Sequence, residues 1–230
     1  MMARRGVLRL LAGAGIFSLL GCSGRETLRY KMTVEVDTLE GLRSGYAVRE
    51  VRFSPKSGTF FADGSATWKL QGEAVAVDIA PGKTLFALLN NQSGQPDYAG
   101  RDVWLMLKEE PEVKNGKLEL WPNMPAKSGL NPKYRADWVL PMLVTFEDLN
   151  DPKSVERINT TDLAARFGIG VRLKRIVVEV TNEPVTSRLG ERLASMGILP
   201  DYGLDRTKGV SASPTLAQKL NYNAFIRGPK

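Results

Sequence analysis

Glu109, Glu110 and Glu112, with Asp148 or Asp151, are the residues whose type could do chemistry in this chain. Two carboxylates brought to one cleft suffice for glycoside hydrolysis, one as acid and the other as base or nucleophile. A charged turn between two strands accounts for the same glutamates without catalysis. Asp148, Asn150 and Asp151 place three oxygen-bearing side chains together, and calcium takes oxygen ligands. The EF-hand pattern breaks, because Lys153 stands where that loop needs glycine and Asn159 where it needs glutamate. Turn and helix-cap roles account for these three residues, and no metal or cofactor is expected. Ser187 and Lys174 belong to no motif that would pair them. The chain has no histidine and a single cysteine. Ser-His-Asp and Cys-His catalysis therefore lack their imidazole, and zinc, copper and haem lose their usual ligands.

A second constellation suits binding. Trp121, Tyr134 and Trp138 share a region with Lys127, Lys133 and Arg135, in a stretch punctuated by Pro122, Pro125, Gly129 and Pro132. Aromatic faces beside cations fit sugar rings, polyanionic glycan or an acidic protein groove, and long ordered loops are often functional. The plainer alternative is that Trp121 and Trp138 end the flanking strands and pack over the core while the lysines solvate the loop.

The N-terminus speaks of location. Arg4 and Arg5 precede an apolar run, Leu8 to Leu20, broken by Gly13, Gly15 and Ser18. It is shorter than the roughly 20 apolar residues a spanning helix needs. The order of cationic start, apolar segment and small residues is that of a secretory signal. Leu19-Leu20-Gly21-Cys22 resembles the lipobox of bacterial lipoproteins. That resemblance implies cleavage before Cys22, a diacylglyceryl group on its sulfur, and stable anchoring once more than one acyl chain is attached. Ser23 after the acceptor, by likeness to Gram-negative lipoproteins, directs the protein to the outer membrane more than the inner. Arg4-Arg5-Gly6-Val7-Leu8-Arg9 also resembles a twin-arginine export motif, so the export route stays open between the two.

The formal net charge is +7, but Arg4, Arg5 and Arg9 fall inside the signal stretch. What remains is mildly basic, with no dense Lys/Arg tract, so nucleic acid is not expected as a partner. The expected partners are the membrane, through the N-terminal lipid, and an envelope protein or glycan. With its lone cysteine lipidated, the chain can form no internal disulfide.

Residues 1–21 therefore read as signal, 22–27 as lipidated N-terminus and tether, and 28–230 as one domain. Alternation marks strands at Leu28–Asp37, Tyr46–Phe53, Ala66–Leu70 and Ala74–Ile79. Glu40 to Gly45 turns the first pair into a hairpin. Thr84–Leu89 reads as a buried strand, with a helical turn as the alternative. Arg101–Leu107 reads as a strand with Val103, Leu105 and Leu107 on one face, pairing with Leu118–Trp121. Leu140–Phe146 and Val171–Thr181 are later strands. Short helical turns are expected after Asp151-Pro152, from Thr161 to Phe167, over Arg188–Met196 and after Pro214. The sum is an α+β fold, mainly antiparallel β-sheet, with a few short helices in the C-terminal third.

The segment from Leu140 to Arg157, followed by Phe-Gly-Ile-Gly-Val-Arg-Leu-Lys-Arg at Phe167–Arg175, is similar to a closing segment of uncharacterised proteobacterial envelope proteins. The likeness extends to Tyr30–Val51. It implies a bacterial envelope protein and carries no functional residues. The expected function is a lipid-anchored, periplasm-facing protein that binds or assembles without catalysis; the alternative is a carboxylate-dependent hydrolase of envelope glycan.

Overall fold

The computed structural model describes residues 24–55, 66–109, 113–122, 139–200, 202–205 and 213–228. The two longest strands, β1 (Glu26–Thr38) and β2 (Gly41–Ser54), form a hairpin closed at Leu39-Glu40 and paired from Glu26↔Phe53 to Thr38↔Gly41. Along β1, Tyr30, Met32, Val34 and Val36 are buried while the residues between them are less so, the pleat of a strand with one face in a core. β3 (Thr67–Glu73), β6 (Lys117–Leu120), β9 (Arg172–Val180) and the short β10 (Ile226–Arg227) complete a six-stranded sheet in the order β10-β3-β2-β1-β9-β6.

A second sheet runs β4 (Val75–Ala80), β5 (Lys83–Asn91), β7 (Pro141–Phe146) and β8 (Val155–Arg157), in the order β4-β5-β7-β8. It lies between two cores. Val75, Val77, Ile79, Leu85, Ala87, Leu89 and Leu143 join the inner face of the first sheet. Phe86, Leu88, Met142, Val144 and Phe146 turn the other way, toward Leu189, Leu193 and Phe225. All six residues of β7 are buried, because a strand covered on both faces has no solvent side on which to place polar groups. The pairing is antiparallel throughout the described strands, so the β-rich α+β expectation holds.

Arg101–Leu107 departs from the expected strand. A π-helical turn (Tyr98–Asp102) leads into α1 (Val103–Glu109), and Val103, Met106 and Leu107 face the core. Both edges of β5 are already taken by β4 and β7, and the chain after it packs as a helix. Tyr98 ties the turn down through its hydroxyl, which donates to the Val139 carbonyl at 2.8 Å. β6 accordingly pairs with β9 and not with residues 101–107.

Later turns follow their caps. Asp151 accepts the Lys153 N–H at the start of a 3-10 turn (Pro152–Ser154). The helix expected from Thr161 is α2 (Ala164–Phe167), and the side chain bonding its start is Asp162, which accepts from the Ala165 N–H. Thr161 is occupied instead with Asn159. α3 (Leu189–Ser195) and α4 (Leu216–Lys219) lie in the expected places, the latter with a capping box between Thr215 and Gln218.

Candidate functional site

β2 and β4 belong to different sheets, yet they touch. An ideal Cβ on Gly45 would stand 2.0 Å from the Ala76 carbonyl oxygen, so only glycine lets β2 come this close to β4. The approach leaves a cleft with three walls. Arg43, Ser44, Gly45 and Tyr46 come from β2; Ala76, Asp78 and Ala80 come from β4; Arg188, Leu189 and Arg192 come from α3 and the residue before it. Cavities of about 370 and 300 Å³ meet at Arg192, with Thr84 and Leu149 beside the larger and Glu73 and Ala74 beside the smaller.

Tyr46 is exposed at the mouth with two cations over its ring, Lys31 Nζ at 4.7 Å and Arg188 Cζ at 4.6 Å from the centroid. Cations at this range are drawn to the negative face of the ring. The cleft's other charges are committed. Arg192 donates to both carboxylate oxygens of Asp78, at 2.7 and 3.2 Å, and also to the Thr84 hydroxyl. The guanidinium holds the Asp78 carboxyl below its usual range, against the opposing pull of burial and with help from Thr84. Arg43 pairs with Glu40 at 2.6 Å. Glu73, only 4% exposed, spends its two oxygens on the backbone N–H groups of Arg188 (3.1 Å) and Leu189 (2.8 Å). Lys31 pairs with Glu183 at 2.8 Å. Among the described residues, the Arg188 guanidinium has no carboxylate partner.

Of the residues singled out in the sequence, Trp121 is exposed just past β6, so it does not pack over the core as the plainer reading would have it. Lys127, Lys133, Tyr134, Arg135, Trp138 and the lipidation candidate Cys22 lie outside the described residues. So do Glu110 and Glu112. Asp148 and Asp151 serve turns: Asp148 Oδ1 accepts from the Asn150 backbone and side chain, and Asp151 Oδ1 from the Lys153 N–H. Among the described residues no cluster of three acidic, histidine or cysteine side chains could hold a metal ion.

No family model matches the chain, and no curated protein or solved structure is similar to it.

What the cleft can do follows from its donors and acids. Hydrolysis by two carboxylates needs one of them protonated near neutrality, with its pKa raised. Asp78 is shifted the other way by Arg192, and both Glu73 oxygens are occupied by the Arg188 and Leu189 N–H groups, which leaves neither free to serve a substrate. Burial does raise the Asp102 carboxyl, with Arg101 opposing and Asp97 adding to it, but Asp102 stands on the π-helical turn and lines neither cavity. The arrangement suits holding an anion better than transferring a proton.

Tyr46, Glu73, Arg188 and Arg192 escaped the sequence reading. Each sits in an ordinary strand or helix pattern, and the cleft exists only because β2 crosses β4. The single local clue was Gly45, which the sequence presents as turn chemistry.

Proposed function

We propose that this chain is a lipid-anchored protein of the bacterial cell envelope, facing the periplasm and directed mainly to the outer membrane, whose folded domain binds a partner without transforming it. The observation that carries the reading is the state of the cleft: its two carboxylates are committed as hydrogen-bond acceptors, while an arginine stacked on an exposed tyrosine has no acidic partner among the described residues. The anchor reading is supported by the short reach from Cys22 to the fold. Only Ser23, Gly24 and Arg25 separate it from β1, the strand between β2 and β9 in the larger sheet. A lipid on that cysteine holds the domain close against its membrane.

The test is capture from crosslinked envelope with the full chain beside its Cys22→Ser form, together with a glycan-release assay on purified peptidoglycan. A protein or glycan recovered through the anchored form, with no release of soluble sugar, is the expected result. Turnover of glycan that disappears on replacing a single acid would overturn the non-catalytic reading. Unchanged membrane partitioning of Cys22→Ser would overturn the anchor.

A further inference from the structure

We propose that the cleft along β4 is the docking groove for an acidic, extended peptide segment of a partner protein, with Arg188 as the residue that takes its carboxylate. The proposal rests on the binding reading above and names the class of ligand.

Three features select that class. The first is charge. Arg43, Arg188 and Arg192 line the two cavities, and of these only Arg188 is without an acid partner among the described residues. A guanidinium held against an aromatic ring keeps N–H donors for a carboxylate, and its fixed plane loses little freedom when the pair forms. Glu73 does not compete for that guanidinium, since its oxygens already hold the Arg188 and Leu189 amides.

The second is shape. β4 is an end strand of its sheet, and Ala74 just before it, then Ala76, Asp78, Ile79 and Ala80, run along both cavities. A strand of this length spans roughly 20 Å at about 3.3 Å per residue. The groove is therefore long, with small alanines along its strand wall, and Ile79, Pro81 and Leu149 give the larger cavity apolar surface. An extended chain fits such a form, presenting alternate side chains to cation and to apolar wall.

The third is what the cleft turns away. Lys31 and Arg188 already engage the Tyr46 ring, which removes it as a platform for stacking a sugar. One guanidinium without an acid partner among the described residues matches a single carboxylate, not the several charges of a polyphosphate, which would also face Asp78 and Glu73 in the lining.

The probe is a fluorescein-labelled peptide of alternating Glu and Val, compared by anisotropy with its Gln-Val counterpart and with a labelled oligogalacturonate, on the full chain in detergent. Variants are Arg188→Gln, Arg188→Lys, and, as control, Arg172→Gln on β9, which pairs with Asp37 and lines neither cavity. The proposal expects the Glu-Val peptide to bind and Gln-Val to bind far more weakly. It expects Arg188→Gln to lose about tenfold in affinity, Arg188→Lys to recover part of it, and Arg172→Gln to match the parent. Equal binding of the two peptides, no binding of either, or an Arg188→Gln variant that binds Glu-Val as the parent does would overturn it. Oligogalacturonate bound through Arg188 while Glu-Val is ignored would also overturn the peptide assignment and leave the binding reading standing. Glycan turnover in the peptidoglycan assay would overturn that broader reading instead.

Discussion

Arg49 donates its Nε hydrogen to the main-chain carbonyl of Glu73 at 2.8 Å, and the carboxylate of that same glutamate holds the start of α3. Residue 73 thus joins the inner face of the large sheet to the element carrying Arg188 and Arg192. The join is buried at both ends, with Arg49 fully inaccessible and Glu73 nearly so.

Glu73→Gln tests the carboxylate end. Glutamine offers one acceptor oxygen where two N–H groups point, so one of the Arg188 and Leu189 amides faces an N–H₂ group. Leaving a buried donor unpaired costs roughly 2 kcal/mol, about 4–8 °C in Tm for a protein of this size. Calorimetry should show that loss, and hydrogen exchange should show the Leu189 amide losing protection ahead of β1. An unaltered Leu189 amide would mean that α3 is held by its apolar contacts alone.

Arg49 tests the other end, with a different sign. Its guanidinium has one short bond, contacts to the Tyr30 hydroxyl and the Met32 sulfur at 3.4 Å, and an Nη2 with no partner among the described residues. A buried charge without a counter-ion is expensive, and replacing it by an apolar side chain of similar length is often neutral or stabilising. Arg49→Met should therefore change stability by no more than about 1 kcal/mol, whereas Arg49→Ala, which empties the space that Gly72 leaves for the arginine stem, should cost about 3 kcal/mol. Urea denaturation with an unchanged slope would check both. A Met variant as damaged as the Ala variant would show that the guanidinium itself holds the fold.

These two residues also show how far the sequence could be read. β1 was legible because its outer face meets solvent and its inner face does not, so the period of two survives in Met32, Val34 and Val36. β5 and β7 were legible for the opposite reason: buried on both faces, they read as unbroken apolar runs. Arg101–Leu107 was not, since Val103, Leu105 and Leu107 satisfy a strand while Val103, Met106 and Leu107 satisfy a helix. Seven residues are too few for periodicity to decide between them. Arg49 and Glu50 sit beside each other in an alternating strand, yet both are buried, one in the core and one beneath Arg29 and Arg52. The cleft was invisible because Tyr46, Glu73 and Arg188 are brought together only by the crossing of two sheets.

Glu50 gives a pH test. Burial raises its carboxyl, but hydrogen bonds from Arg29 at 2.7 Å and Arg52 at 2.8 Å outweigh that and leave it below its ordinary value. A depressed carboxylate contributes stability that is present above the unfolded pKa and is lost as pH falls through the folded one. Both arginines are substantially exposed, so salt screens the contribution and it amounts to roughly 1 kcal/mol. Glu50→Gln should lower the denaturation midpoint at pH 7 in low salt, and the gap to the parent should close as the pH falls from the ordinary carboxylate range through the lowered folded-state value. A gap that stays constant across that range would assign the loss to packing.

The crossing itself is tested at Gly45. A methyl group there would meet the Ala76 oxygen at 2.0 Å, the Ala76 carbonyl carbon at 3.0 Å and a Val77 methyl at 3.2 Å. Backbone cannot swing aside as a side-chain tip does, so β2 must lift from β4, which costs about 3 kcal/mol by the usual scale of overpacking. Gly100→Ala is the control, because its nearest neighbour would be the Leu70 Cβ at an ordinary 3.7 Å; it should stay within about 0.5 kcal/mol of the parent. Lifting β2 also moves Tyr46 away from Arg188. Fluorescence of the Glu-Val peptide on folded Gly45→Ala protein should then show weakened binding at temperatures where the circular dichroism is still native. Full binding by a destabilised Gly45→Ala would separate the crossing from the site and place the Arg188 contact outside the cleft.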